Sequence, residues 1–114
     1  MGHGHEMAHL SSVDLYIRFD ALHWYPGTMQ YAAAEIFSGG LWRNHDYFKQ
    51  WVHIAGTITD WQESLLYDPQ TSGGLLIAIT SERAESFLAD IRTAGEDAAI
   101  IGIVQAGSGQ IYIT

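Results

Sequence analysis

The run Tyr67-Asp68-Pro69-Gln70-Thr71-Ser72-Gly73-Gly74-Leu75-Leu76-Ile77-Ala78 joins a polar, conformationally restricted turn directly to an apolar stretch. Pro69 fixes one backbone torsion, Thr71 and Ser72 supply hydroxyls, and the paired glycines open backbone geometries that other residues avoid. Leu75 to Ile79 is uninterruptedly apolar, the pattern of a strand covered on both faces, so a central strand is expected there. Downstream, Ala84, Phe87, Leu88 and Ile91 form an apolar stripe on a helix expected over Glu82 to Ala94. Ser81 would be its N-cap, Glu82 is favourable in the first turn, and Gly95 lies beyond the end. Ala98 to Val104 reads as the next strand, and Gly107-Ser108-Gly109 turns the chain into a final one from Gln110 to Ile113.

Upstream of the turn the periodicity alternates between helix and strand. Gly2 to Leu10 reads as helix, Ser11-Ser12 as its stop, and Asp14 to Asp20 as a half-buried strand with Leu15, Ile17 and Phe19 on one side. After Pro26-Gly27-Thr28, residues Met29, Ala32, Ala33, Ile36 and Phe37 fall at helical spacing, and Ser38-Gly39-Gly40 ends that helix. Leu41 to Trp51 reads as a short helix, Val52 to Ile58 as a short strand, and Asp60 can cap a helix reaching about Tyr67. These patterns predict an α+β fold, helices packed on a mixed β-sheet, in a single domain spanning residues 1–114.

Composition narrows the function classes. A chain of 114 residues with 47% hydrophobic residues has the material for one core. The 13 acidic against 5 basic side chains give a formal charge of -8, which repels a phosphate backbone, so neither nucleic acid nor an anionic membrane is an expected partner. No apolar run approaches the roughly 20 residues needed to span a bilayer, and the expected location is cytoplasmic. Cysteine is absent, so the usual redox clue is missing.

Two segments are candidate anion sites on residue chemistry. In the first, Thr71, Ser72, Gly73 and Gly74 can aim hydroxyls and amides at a phosphate or pyrophosphate. The same residues equally suit a tight strand entry, with Asp68 and Thr71 satisfying local backbone groups. In the second, Gly39, Gly40, Arg43 and Asn44 read either as a helix stop with surface residues or as an anion pocket in which Arg43 offers a fork of donors. A third motif competes. His5-Glu6-Met7-Ala8-His9 fits H-E-x-x-H, in which two histidines one helical turn apart grip zinc and the glutamate activates water, as in a metalloprotease. Its place almost at the chain start and the lack of a marked third ligand count against that chemistry. Adventitious metal binding by His3, His5 and His9 needs no designed pocket. Trp24, Trp42, Trp51 and Trp61 are assigned to core or interface packing.

The 67–78 run also resembles the signature of selenophosphate synthetase (selenide, water dikinase), where it lies in a C-terminal domain shared with aminoimidazole ribonucleotide synthetase. Gly2-His3, Glu6-Met7-Ala8, Pro26-Gly27 to Ala34, Gly39-Gly40, Arg43-Asn44 and Ile100-Ile101-Gly102 follow in the family's order. The resemblance implies that ATP and magnesium serve a complete enzyme that turns selenide into selenophosphate. It also implies an N-terminal segment with a reactive cysteine or selenocysteine and a lysine. Here cysteine is absent and the single lysine, Lys49, sits in an unrelated segment. The expectation is a detached C-terminal domain, inactive alone, with no tightly bound cofactor. Its expected partners are a separate N-terminal catalytic domain and other copies of itself. A stand-alone phosphate-binding or assembly module is the alternative.

Overall fold

The computed structural model describes residues 1–69 and 73–114. Helices α1 (Gly2–Ser11), α2 (Thr28–Ala33), α3 (Leu41–Phe48), α4 (Asp60–Leu66) and α5 (Ser81–Thr93) are joined with strands β1 (Val13–Ile17), β2 (Val52–Ile54), β3 (Gly102–Ala106) and β4 (Ile111–Ile113). The strands form one mixed sheet in the order β2-β4-β1-β3. In it β1 runs antiparallel to β3 and parallel to β4, which is itself parallel to β2. The expected α+β class therefore holds.

One face of the sheet is covered by α1. Gly4 makes the approach close: a Cβ there would stand 3.3 Å from Ile111 Cδ1 and 3.6 Å from Leu15 Cδ1. Ala8, Leu15, Ile17, Leu41, Ile111 and Ile113 join Phe19, Val52, Leu66 and Tyr67 in the core. Alternation along the strands sends Tyr16, Tyr112 and His53 to the other face, where they stand in register and stack at 4.7 and 4.8 Å between ring centroids. Gly102 opens β3 because any side chain at that position would overlap the Tyr16 carbonyl of the neighbouring strand.

Local chemistry shifts several boundaries. β1 stops at Ile17, and the chain continues into a 3-10 turn over Phe19–Ala21. α2 ends at Ala33 instead of running to Phe37. Glu35 takes a φ of 57°, Glu35 N–H donates to Ala32 O and Ile36 N–H reaches back to Tyr31 O, a left-handed closure that leaves Ile36 61% exposed. Lys49–Trp51 is a 3-10 turn after α3, and β2 is only three residues long. Thr59, not Asp60, caps α4: it shares a capping box with Gln62, whose side chain accepts the Thr59 N–H at 2.9 Å. Thr80, not Ser81, is the residue preceding α5, and β3 starts at Gly102, four residues later than its apolar pattern suggests.

The main correction concerns Leu75 to Ile79. Residues 73–80 form no strand; Leu75 is 90%, Ile77 50% and Ile79 38% exposed. Both sides of β1 and of β4 are already taken, so no central position is left in the sheet. The stripe Ala84, Phe87, Leu88 and Ile91 is the less exposed side of α5, as expected, but no residue of α5 is buried.

Candidate functional site

The two segments singled out as anion sites meet in the fold. Buried Tyr67 ends α4 and fixes the entry to the turn, and the first turn of α3 lies against it. Asn44 Nδ2 donates to the Tyr67 carbonyl at 2.9 Å, and Ser38 Oγ donates to Asp68 Oδ1 at 2.7 Å. Gly40 sits so close to Pro69 that a Cβ would come within 3.0 Å of the proline Cγ. A tie at each end and a ring contact between them hold 38–44 and 67–69 as one unit. Ser38 and Asp68 were not named as site residues from sequence; the only signal was their place inside the two motifs.

The named candidates divide by role. Asn44 and Gly40 build the junction. Gly39 is exposed, with open space where a side chain would go. Arg43 is exposed and makes no hydrogen bond or ion pair among the described residues, so its five donors face solvent at the start of α3. Gly73 and Gly74 continue exposed from the turn, and Gly74 too has open space around it. Thr71 and Ser72 lie outside the described residues. Beside the junction opens a shallow groove of about 430 Å³ lined by Thr28, Tyr31, Ile36, Phe37, Ser38 and Asp68.

Beneath the turn the polar groups are unevenly satisfied. The Tyr67 hydroxyl is buried without a hydrogen-bond partner among the described residues. Burial, reinforced by the Glu63 carboxylate, pushes its ionisation up to about 12. His45 meets the Tyr67 ring edge-on at 4.9 Å and places Nε2 3.9 Å from Glu63 Oε1.

The H-E-x-x-H motif does lie on a helix, α1, with His5 and His9 stacked at 5.3 Å. His5 is occupied in packing: its ring stacks on Trp51 at 4.1 Å, and burial, then His9, lowers its proton affinity. Among the described residues no group of three or more His, Asp or Glu side chains is placed to hold a metal ion. Among the described residues no third ligand of the kind the protease chemistry requires joins His5 and His9, and the described carboxylates likewise offer magnesium no three-ligand site. A separate anion nest exists, filled by the chain itself. Asp14 Oδ1 accepts the backbone N–H groups of Ser108, Gln110 and Gly109 at 2.8, 2.9 and 3.1 Å. The Gln110 and Ser108 donors, opposed by burial, hold this carboxyl below the usual range.

Comparison with known proteins identifies the family. Residues 1–113 match the family described as AIR synthase related protein, C-terminal domain. Over 114 residues the chain is 37% identical to a selenide, water dikinase of Rhizobium meliloti (strain 1021), covering 99% of the chain and 33% of the relative. The corresponding protein of Clostridioides difficile (strain 630) is 37% identical over 115 residues, covering 100% and 33%. That of Photobacterium profundum is 42% identical over 82 residues, covering 72% and 23%. The chain thus spans about a third of the length of these relatives, at most. With its mixed sheet, its helices and a match over nearly every residue, the chain belongs to the AIR synthase related protein, C-terminal domain family.

Proposed function

We propose that this domain serves ATP-dependent synthesis of selenophosphate from selenide, and that the junction of 38–44 with the 67–74 turn faces a phosphate group of the nucleotide or product. The observation that carries this reading is the exposed Arg43 guanidinium, unpaired among the described residues, beside a turn rich in glycine and hydroxyls. Asn44 and Ser38 hold that turn in place, and the Arg43 fork matches phosphate oxygens. Thr71 and Ser72 enter the proposal on sequence grounds.

The domain's part is to bind and orient. It contains no cysteine, and its one lysine, Lys49, pairs with Asp46 at 3.0 Å beyond the far end of α3. Activation of the nucleophile and the handling of magnesium therefore belong to another segment or chain, and ATP chemistry assigns the domain to the cytoplasm. The test is calorimetry with ATP and with inorganic phosphate on the 114-residue chain, alone and with the N-terminal two-thirds of a selenide, water dikinase supplied separately. Arg43→Ala is expected to weaken binding in the reconstituted system about tenfold or more, with an unchanged melting temperature. Equal affinity for the two proteins would remove Arg43 from the site.

A further inference from the structure

We infer that His45 is a positioning residue for the 67–74 turn: its imidazolium ties α3 to Glu63 of α4 beside the Tyr67 ring, so the turn is held more firmly when His45 carries a proton than when it does not. The hold on the turn stands on geometry alone, and its effect on anion affinity rests on the phosphate reading proposed for the junction.

Three consecutive residues of α3 meet the turn in three ways. Arg43 faces solvent beside it, Asn44 Nδ2 donates to the Tyr67 carbonyl at 2.9 Å, and His45 stands edge-on to the Tyr67 ring at 4.9 Å. The residue that opens the turn is therefore gripped at its backbone by one side chain and at its ring by the next. Trp42 also meets the imidazole edge-on, at 6.5 Å, so the His45 ring is fixed between α3 and the end of α4.

The charges around the imidazole decide what its proton does. His45 Nε2 lies 3.9 Å from Glu63 Oε1 on α4, and Nδ1 lies 3.5 Å from Asp46 Oδ1 on α3. These separations exceed a hydrogen bond but suit an ion pair, so a protonated ring is a cation between two carboxylates. Asp46 is 72% exposed and shared with Lys49 Nζ at 3.0 Å, and its pull on the ring is both screened and divided. Glu63 and His45 keep 31% and 29% of their side chains exposed, and Glu63 belongs to the helix that leads into the turn. The Tyr67 hydroxyl, buried without a hydrogen-bond partner among the described residues, already feels that carboxylate. Loss of the His45 proton takes the cation away from Glu63 and leaves α3 the Asn44 bond and the ring contact. Another titratable group reaches the same end of α4, since the Met1 amino group donates to the Leu66 carbonyl at 2.7 Å.

Histidine is the side chain that ordinarily changes charge between about pH 5 and 8. The test is a proton–nitrogen NMR titration of the 114-residue chain over that range, following the His45 ring and the backbone amides of Gly73 and Gly74. Both glycine signals are expected to move with the His45 midpoint. His45→Phe keeps a ring against Tyr67 and removes the proton, and Glu63→Gln keeps the imidazole and removes its charged partner. The glycine step is expected to vanish in the first variant and to shrink in the second, whereas a bare electric field of the imidazolium would survive in Glu63→Gln. A step that persists in His45→Phe has another source, such as the Met1 amino group, and would overturn the inference. Glycine amides that ignore the imidazole in the wild type would do the same. Sulfate, whose charge is constant over this range, is then added at two pH values, one near each end. It is expected to bind the wild type at least about fivefold more tightly at the lower one, and His45→Phe about twofold more tightly at most, the share of the remaining histidines at longer range. Equal binding to the wild type at both values would overturn the inference while the phosphate reading stands. No sulfate binding at either, with the glycine step intact, would fell the phosphate reading and uphold the hold of His45 on the turn.

Discussion

Residues 1–69 and residues 73–101 both carry apolar side chains at regular spacing, but only the first region fully buries any of them. Ala8 and Leu41 are fully buried, whereas α5 buries none of its residues and Leu75 is 90% exposed. Helical amphipathicity is present in both regions, so it is not what separates them. The first region closes on the sheet through α1 and the joined 38–44 and 67–69 segments, while the second, up to residue 101, adds no strand to the sheet among the described residues. An apolar pattern states that a surface needs cover; the connections between elements decide what can provide it.

The sharpest way to break this contrast is a pair of truncations. Ile111→Ala opens a cavity at a fully buried site and is expected to cost about 2–5 kcal/mol in denaturant unfolding, whereas Leu88→Ala in α5 should cost below about 1 kcal/mol. Equal losses would mean that α5 is packed as tightly as the sheet. A second test concerns the clasp between β1 and the turn that joins β3 to β4. Asp14→Ala removes the acceptor of three backbone donors and should lower the melting temperature by several degrees at neutral pH. Because the Asp14 carboxyl is held below its unfolded value, its contribution is present above the unfolded carboxylate range and is lost as pH falls through the folded value. The variant should therefore approach the wild type in acid melts. If the gap between them stays constant down to the lowest pH, Asp14 is not the titrating clasp.

The smallest expected effect is at Tyr67. Tyr67→Phe removes a buried hydroxyl that lacks a partner among the described residues, so its stability near neutral pH should match or slightly exceed that of the wild type. The difference should appear in alkali. With the folded ionisation raised to about 12 against an ordinary value of 10.0, the wild type keeps its full stability below the ordinary value and loses it as pH rises toward the folded one. Thermal melts across that window should show the phenylalanine variant losing less.

Much of this fold was legible where the pattern and its local partner coincide. α1, α3, α4 and β1 were placed to within a few residues because their signals are local. The early end of α2 was missed because the left-handed closure at Glu35 comes from a residue type that gives no warning of it. The 75–79 run was misplaced because continuous apolarity does not name the surface that will cover it. At the candidate site, the two motifs were readable from sequence but their meeting was not. It depends on contacts across the fold, Asn44 to Tyr67 and Ser38 to Asp68, that no spacing along the chain encodes.

The order of the sheet has a consequence for how the domain is made. β4 lies between β1 and β2, yet it is formed by residues 111–113, nearly a hundred positions after β1 begins. During synthesis β1 and β2 both emerge without the strand that will separate them, and α1 has only part of its floor. The sheet can therefore close only after residues 111–113 have left the ribosome, making assembly late and dominated by distant contacts. Until then Leu15, Ile17 and Val52 lack the strand that packs beside them, so the nascent domain carries uncovered apolar surface until the 107–110 turn is made.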